Sequence, residues 1–221
     1  MSLALQLLPK FLVGAGNTLI YCFASFPLAL LFGLLLALMR NSRIAWLRSP
    51  SRIFIEVIRG TPIITQIFLI YYGLGAVLVN YNLAVYDNAW VAGIGVLALN
   101  YSAYEAEVYR AGFLSVEQGQ TEAALSLGMS PAQNFFRIVL PQAIPLMIPP
   151  FVNDFIYMLK DSAIVVVISG SELTSTLQFY VFRNPANPLP LYALAIALYL
   201  LMSLPTSYVA RWYERRLRAA L

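Results

Sequence analysis

Four carboxylates, Glu105, Glu107, Asp154 and Asp161, sit inside or at the edge of runs built otherwise from Leu, Ile, Val, Ala and Phe. An ionised carboxylate in hydrocarbon costs roughly 2.5–3.5 kcal/mol on insertion scales, so such a group faces a cavity or a partner. Asp154 lies 13 residues beyond Pro141, roughly 20 Å along a helix into an apolar layer of about 30 Å. Asp161 follows seven residues later, two turns on and nearly on the same face, with Lys160 beside it and turned about 100° away. Two arrangements satisfy these charges. One is an internal network that pairs Asp154 or Asp161 with Lys160, and Glu107 with Arg110. The other is a polar cavity in which Asp154, with Glu105, Glu107, Asp161 and Ser162 as further candidates, meets an ammonium or guanidinium group. Pro145, Pro149 and Pro150 favour the cavity, because they are expected to break the helix and free carbonyls that need a polar surround.

Other chemistries lack their residues. The 221-residue chain has no histidine and one cysteine, Cys22, inside an apolar run. A structural zinc site, a histidine-based triad, a disulfide framework and a CxxC redox pair are thereby excluded, and Cys22 reads as a small apolar residue. No GxxxxGK[ST] phosphate loop occurs, so ATP is not hydrolysed on this chain. No cofactor or metal is expected within it.

The elements that must hold these charges are membrane helices. The composition is 60% hydrophobic and 11% charged, against roughly 25% charged in soluble domains. Five spans are expected in one domain over 1–221: about 11–39, 53–79, 89–110, 141–168 and 191–209, with a cytoplasmic loop at 111–140. The first run is too long for the apolar region of a secretory signal and is expected to remain in place. Gly14, Gly16 and Asn17 suggest a short interfacial piece before the span proper. Asn80, Asn82, Asp87 and Asn88 mark an outer turn, and Asn184, Pro185, Asn187, Pro188 and Pro190 a turn-rich stretch before the last span. Tyr81, Tyr86, Trp90 and Trp212 read as interfacial aromatics. Glu56 and Arg59 read as a structural pair.

The net charge of +4 does not point to nucleic acid, because the basic residues cap apolar runs and form no continuous patch. Arg40, Arg43, Arg48, Arg52 and Arg59 flank the first loop, Arg110 and Arg137 the third, and Arg211, Arg215, Arg216 and Arg218 the tail. With five spans all three fall on one side, so the positive-inside rule puts the N-terminus outside and the C-terminus in the cytoplasm.

The inner loop reads Glu122-Ala123-Ala124-Leu125-Ser126-Leu127-Gly128-Met129-Ser130-Pro131. Gly128 suits the left-handed residue that closes a helix. Ser130, Pro131 and Gln133 then suit the N-cap, N1 and N3 positions of a second helix. The product is a helical elbow with small Ala123 and Ala124 open to close approach, which serves as a docking surface or as a plain surface helix.

Glu122-Ala123-Ala124, Gly128, Ile138 and Leu140-Pro141, at these spacings, resemble the EAA loop of ABC importer permeases. Arg59-Gly60-Thr61-Pro62 with Gln66, Ser102-Ala103-Tyr104, Ala106-Glu107-Val108 with Arg110, Ser115-Val116, Gly119-Gln120 and Lys160-Asp161-Ser162 are similar to the polar amino-acid uptake branch, the histidine, arginine or glutamine permease type. Phe113 and Ala163-Ile164 depart from that branch's usual residues. The resemblance implies an all-α integral membrane protein of type I importer fold in a bacterial cytoplasmic (inner) membrane. It implies that Glu122, Ala123, Ala124 and Gly128 contact a separate ATP-binding cassette subunit, present in two copies and holding ATP and magnesium. It also implies a second permease chain, identical or sister, an extracytoplasmic solute-binding protein, and an amino-acid cargo. An ion-gradient-driven transporter or channel is the alternative; no inverted repeat supports it. A membrane-embedded enzyme would have to build its site from carboxylates alone.

Overall fold

The structure, a computed structural model, describes residues 3–75, 77 and 88–220, excepting the side chains of 218–220. The expected outer-turn residues Asn80, Asn82 and Asp87, the aromatics Tyr81 and Tyr86, and the end of the second span lie outside the described residues. Helix α1 covers Leu3–Arg40, α2 Ala45–Arg59, α3 Ile63–Phe68 with a π-helical continuation Leu69–Leu74, α4 Ala89–Leu114 and α5 Gln118–Ser126. Helix α6, Pro131–Asn134, runs through a π turn, Phe135–Val139, into α7, Leu140–Asp161. A 3-10 segment, Ser162–Ile168, follows, then α8, Leu173–Arg183, and α9, Leu189–Ala220. No strand occurs among the described residues.

Leu3–Arg40, Pro131–Ile168 and Leu189–Leu217 are long and apolar enough to cross a membrane, and α2 with α3–Leu74 makes a further candidate bent by 110°. The core is the α1–α4 pair. Thr18, Cys22, Ser25, Ala29, Gly33 and Ala37 recur at helical spacing along α1 and are all buried, a small-residue stripe of the kind that lets membrane helices approach closely. At Gly33 the approach is tightest: a Cβ there would lie 2.6 Å from Glu105 Cβ and 3.0 Å from the Ser102 carbonyl. Ser25 Oγ donates to the Ile94 carbonyl across the same seam at 3.2 Å.

Three local expectations change. Gly14, Gly16 and Asn17 do not interrupt α1; a Cβ on Gly14 would lie 2.6 Å from Thr176 Oγ1 and 3.1 Å from Leu173 Cα, so Gly14 is the seat for α8. The second apolar run is not one rod, because the chain turns at Gly60-Thr61-Pro62 and Ile53 to Arg59 belong to α2. Pro145, Pro149 and Pro150 do not break α7. The carbonyl that Pro150 cannot donate to is that of Leu146, and both residues line an open cleft. The turn expected before the last span forms at residues 184–188, and ahead of it the chain holds a further helix, α8. Its buried cap Glu172 accepts from Ser175 N at 2.6 Å and Thr174 N at 2.7 Å, and from Tyr199 Oη at 3.1 Å.

Candidate functional site

The elbow forms as its local chemistry dictates. Gly128 has φ +80°, Gly128 N donates to the Leu125 carbonyl at 3.0 Å and Met129 N to the Ala124 carbonyl at 3.1 Å, a Schellman closure of α5. Ser130 and Gln133 form the reciprocal capping box, at 3.3 Å and 2.9 Å. Asn134 Nδ2 donates to Thr121 Oγ1 at 3.3 Å, tying the arms together. The outward face differs from expectation at one residue. Glu122 and Ala123 are exposed, whereas Ala124 is 4% exposed and packs inside the bend. Leu127, which motif spacing alone does not single out, is 84% exposed at the tip. A leucine placed just before a helix-closing glycine was the available signal.

The second feature is built on the bend between α2 and α3. Gln66 folds back, its Nε2 donating to the Ile58 carbonyl at 2.8 Å, the Thr61 carbonyl at 3.1 Å and Thr61 Oγ1 at 3.0 Å. Carbonyls left open by the turn are thereby satisfied. Its Oε1 accepts from Asn100 Nδ2 at 2.9 Å, fixing the bend to α4. Gln66→Leu strands the Asn100 amide and these carbonyls at once; it is expected to cost about 1–3 kcal/mol and to lower the midpoint of a thermal-shift melt in detergent, with an unchanged midpoint counting against the role.

Beyond Asn100, a cavity of about 190 Å³ is lined by Asn100, Tyr101, Tyr104, Asp154, Tyr157 and Asp161. Asp161 accepts from Tyr101 Oη at 2.8 Å. The Asp154 carboxylate has no hydrogen bond or ion pair among the described residues and also lines a second cleft, of about 430 Å³, with Arg59, Tyr104, Glu107 and Pro150.

The structure divides the expected carboxylate set. Asp154 and Asp161 share the cavity. Glu107 is a network residue: Arg40 reaches its Oε1, Arg110 bonds its Oε2 at 2.7 Å, and Arg59 stands 3.9 Å away. Glu105 is fully buried against α1 and lines neither opening, with no hydrogen-bond partner among the described residues. Ser162 is buried too, its hydroxyl donating to the Leu159 carbonyl at 2.9 Å. Lys160 pairs with neither aspartate; its ammonium lies 4.5 Å from the Tyr157 ring centre. Arg59 pairs toward Glu107 instead of Glu56 because α2 packs against the end of α4, with its guanidinium also 5.4 Å from the Tyr104 ring centre. Trp90 stacks on Tyr21 at 4.3 Å in the helix seam.

The all-helical bundle has counterparts among known proteins. A family model described as the binding-protein-dependent transport system inner membrane component matches residues 29–219. This chain belongs to that family. The permease is 34% identical over 211 residues to the probable amino-acid ABC transporter permease protein y4tG of Sinorhizobium fredii, covering 96% of this chain and 88% of that one. It is 32% identical to the glutamine transport system permease protein GlnP of Escherichia coli, with 96% and 94% covered. A solved amino acid ABC transporter, crystallised with histidines, superposes with a TM-score of 0.87 at 38% identity over 96% of both chains. The MetNI methionine ABC transporter, at 20% identity and a TM-score of 0.67 over 96% of this chain and 99% of that one, shares the fold. The chain is an all-helical, multi-pass membrane permease of the type I ABC importer fold.

Proposed function

We propose that this permease is one half of the membrane passage of an ATP-driven importer of polar amino acids, with ATP and magnesium held by two copies of a separate ATP-binding cassette subunit. Five spans complete the passage with a second permease chain, and an extracytoplasmic solute-binding protein delivers the cargo. The N-terminus lies outside and the tail in the cytoplasm, where Arg211, Arg215 and Arg216 follow the last span.

The observation that carries the reading is the likeness over 96% of the chain to a solved amino acid ABC transporter. The exposed elbow supplies its mechanical counterpart. Glu122, Ala123 and Leu127 present a small surface on a helix end held by the Gly128 closure, and Ala124 sets the bend from inside. Closure of an ATPase dimer pressing on this surface would be transmitted through α6 into α7, which bears Asp154 and Asp161. Asp154, with no protein partner among the described residues, is the residue offered to the cationic group of the cargo, and Asp161 stands beside it. Glu105, Glu107 and Ser162 act as structural support for that cavity.

The test is uptake of radiolabelled amino acids by proteoliposomes holding the assembled complex, with ion gradients collapsed by ionophores. Uptake that requires ATP hydrolysis is expected. Gradient-driven uptake that ignores ATP would overturn the reading.

A further inference from the structure

Helix α2 has three faces of different character. Leu47, Ser51, Phe54, Ile55 and Ile58 turn toward the protein, with Ser51 and Ile55 buried. Trp46, Ile53 and Val57 form an outward ridge, 75%, 63% and 54% exposed. At 100° per residue that ridge lies about 120° from the protein face, and Arg48, Arg52 and Arg59 occupy the remaining third, with exposed Glu56 at its edge.

Arg59 is engaged by Glu107 and the Tyr104 ring. Arg43, Arg48 and Arg52 are exposed and form no ion pair among the described residues. The helix departs from the direction of α3 by 110°, which a second rod through the bilayer would not do. A short helix with an apolar ridge headed by tryptophan and a separate cationic side is built to lie in a membrane interface.

We propose that α2 is a lipid-docking helix at the cytoplasmic surface: its Trp46–Ile53–Val57 ridge sits among acyl chains, and Arg43, Arg48 and Arg52 bind the phosphates of anionic phospholipids. Charge complementarity selects this occupant. Three unpaired arginines face an anionic surface favourably, whereas a second copy of the same helix would oppose arginine with arginine. Gln66 and the Arg59–Glu107 contact tie α2 to the polar cavity and the neighbouring cleft.

The experiment uses tryptophan fluorescence of the full chain in lipid nanodiscs, in a Trp90→Phe/Trp212→Phe background that leaves Trp46 as the emitter. Nanodiscs contain phosphatidylcholine and phosphatidylglycerol, with bromine on the acyl chains of one lipid or the other. Brominated phosphatidylglycerol is expected to quench Trp46 more strongly than the same mole fraction of brominated phosphatidylcholine. The preference should fall in high salt and shrink by about fivefold for each charge removed in Arg48→Gln and Arg52→Gln, while Arg52→Lys keeps it. Absence of quenching by either lipid would place the ridge against protein and overturn the proposal. Equal quenching by both, indifferent to salt, would overturn the anionic part of it.

Discussion

Gly128→Val lowers ATP-driven uptake about tenfold or more while the chain still accumulates in the membrane and keeps its melting midpoint. The residue sits at φ +80° with nothing within 4 Å of where a Cβ would stand, so the penalty is conformational and not steric crowding. The left-handed region costs a residue with a Cβ about 1–2 kcal/mol, and a β-branched residue more. Moving valine out of that region undoes the Schellman closure and swings the tip that carries Leu127. A docked elbow populated about tenfold less, or worse, is the expected consequence. Asparagine tolerates the left-handed region, so Gly128→Asn should retain most uptake. The measurement is ATP-dependent uptake beside basal ATPase rate in the same vesicles: complexes carrying Gly128→Val should hydrolyse ATP while moving about a tenth of the cargo or less. Normal transport by the valine variant would show that the elbow's shape is not what couples the two parts.

That closure was legible in the sequence because its causes are local: glycine at the stop, then serine, proline and glutamine at fixed offsets, each specifying one backbone or cap geometry. The first and last helices were legible for a similar reason, since a long uncharged run has few alternatives in a chain this apolar. The features that escaped are set by distant contacts. Whether Ala124 faces out or in depends on where α6 and the following π turn come to rest. The packing of α1 at Gly14 is set by α8, a helix started by a glutamate cap whose partners include Tyr199, 27 residues away. The 110° bend at Gly60 to Pro62 is announced by glycine and proline, but an apolar window that runs across them reads as one span. Among the carboxylates, spacing placed Asp154 and Asp161 on one face correctly. It could not separate them from Glu107, whose Arg40 partner comes from another helix, or from Glu105, whose burial follows from the small side chains of α1.

Asp154→Asn lowers the rate of uptake at fixed amino-acid concentration by about 10- to 100-fold, the loss of one charge-assisted hydrogen bond of about 1.5–3 kcal/mol. Asparagine keeps the side chain's size and most of its hydrogen-bonding capacity, so assembly and melting should be preserved; only the negative charge goes. Three observations set the size of the effect. Asp154 lies at the meeting of the 190 Å³ cavity and the 430 Å³ cleft. Its carboxylate has no ion pair among the described residues, so no internal bridge is lost. Asp161, the other acid in the cavity, is already engaged by Tyr101 and substitutes poorly. Tyr101→Phe supplies the control, since it frees Asp161 and should recover part of the lost uptake when combined with Asp154→Asn. Radiolabelled uptake for the single and double variants, normalised to assembled complex, decides the matter. Unchanged kinetics in Asp154→Asn would remove this carboxylate from the path of the cargo and leave it a structural residue of α7.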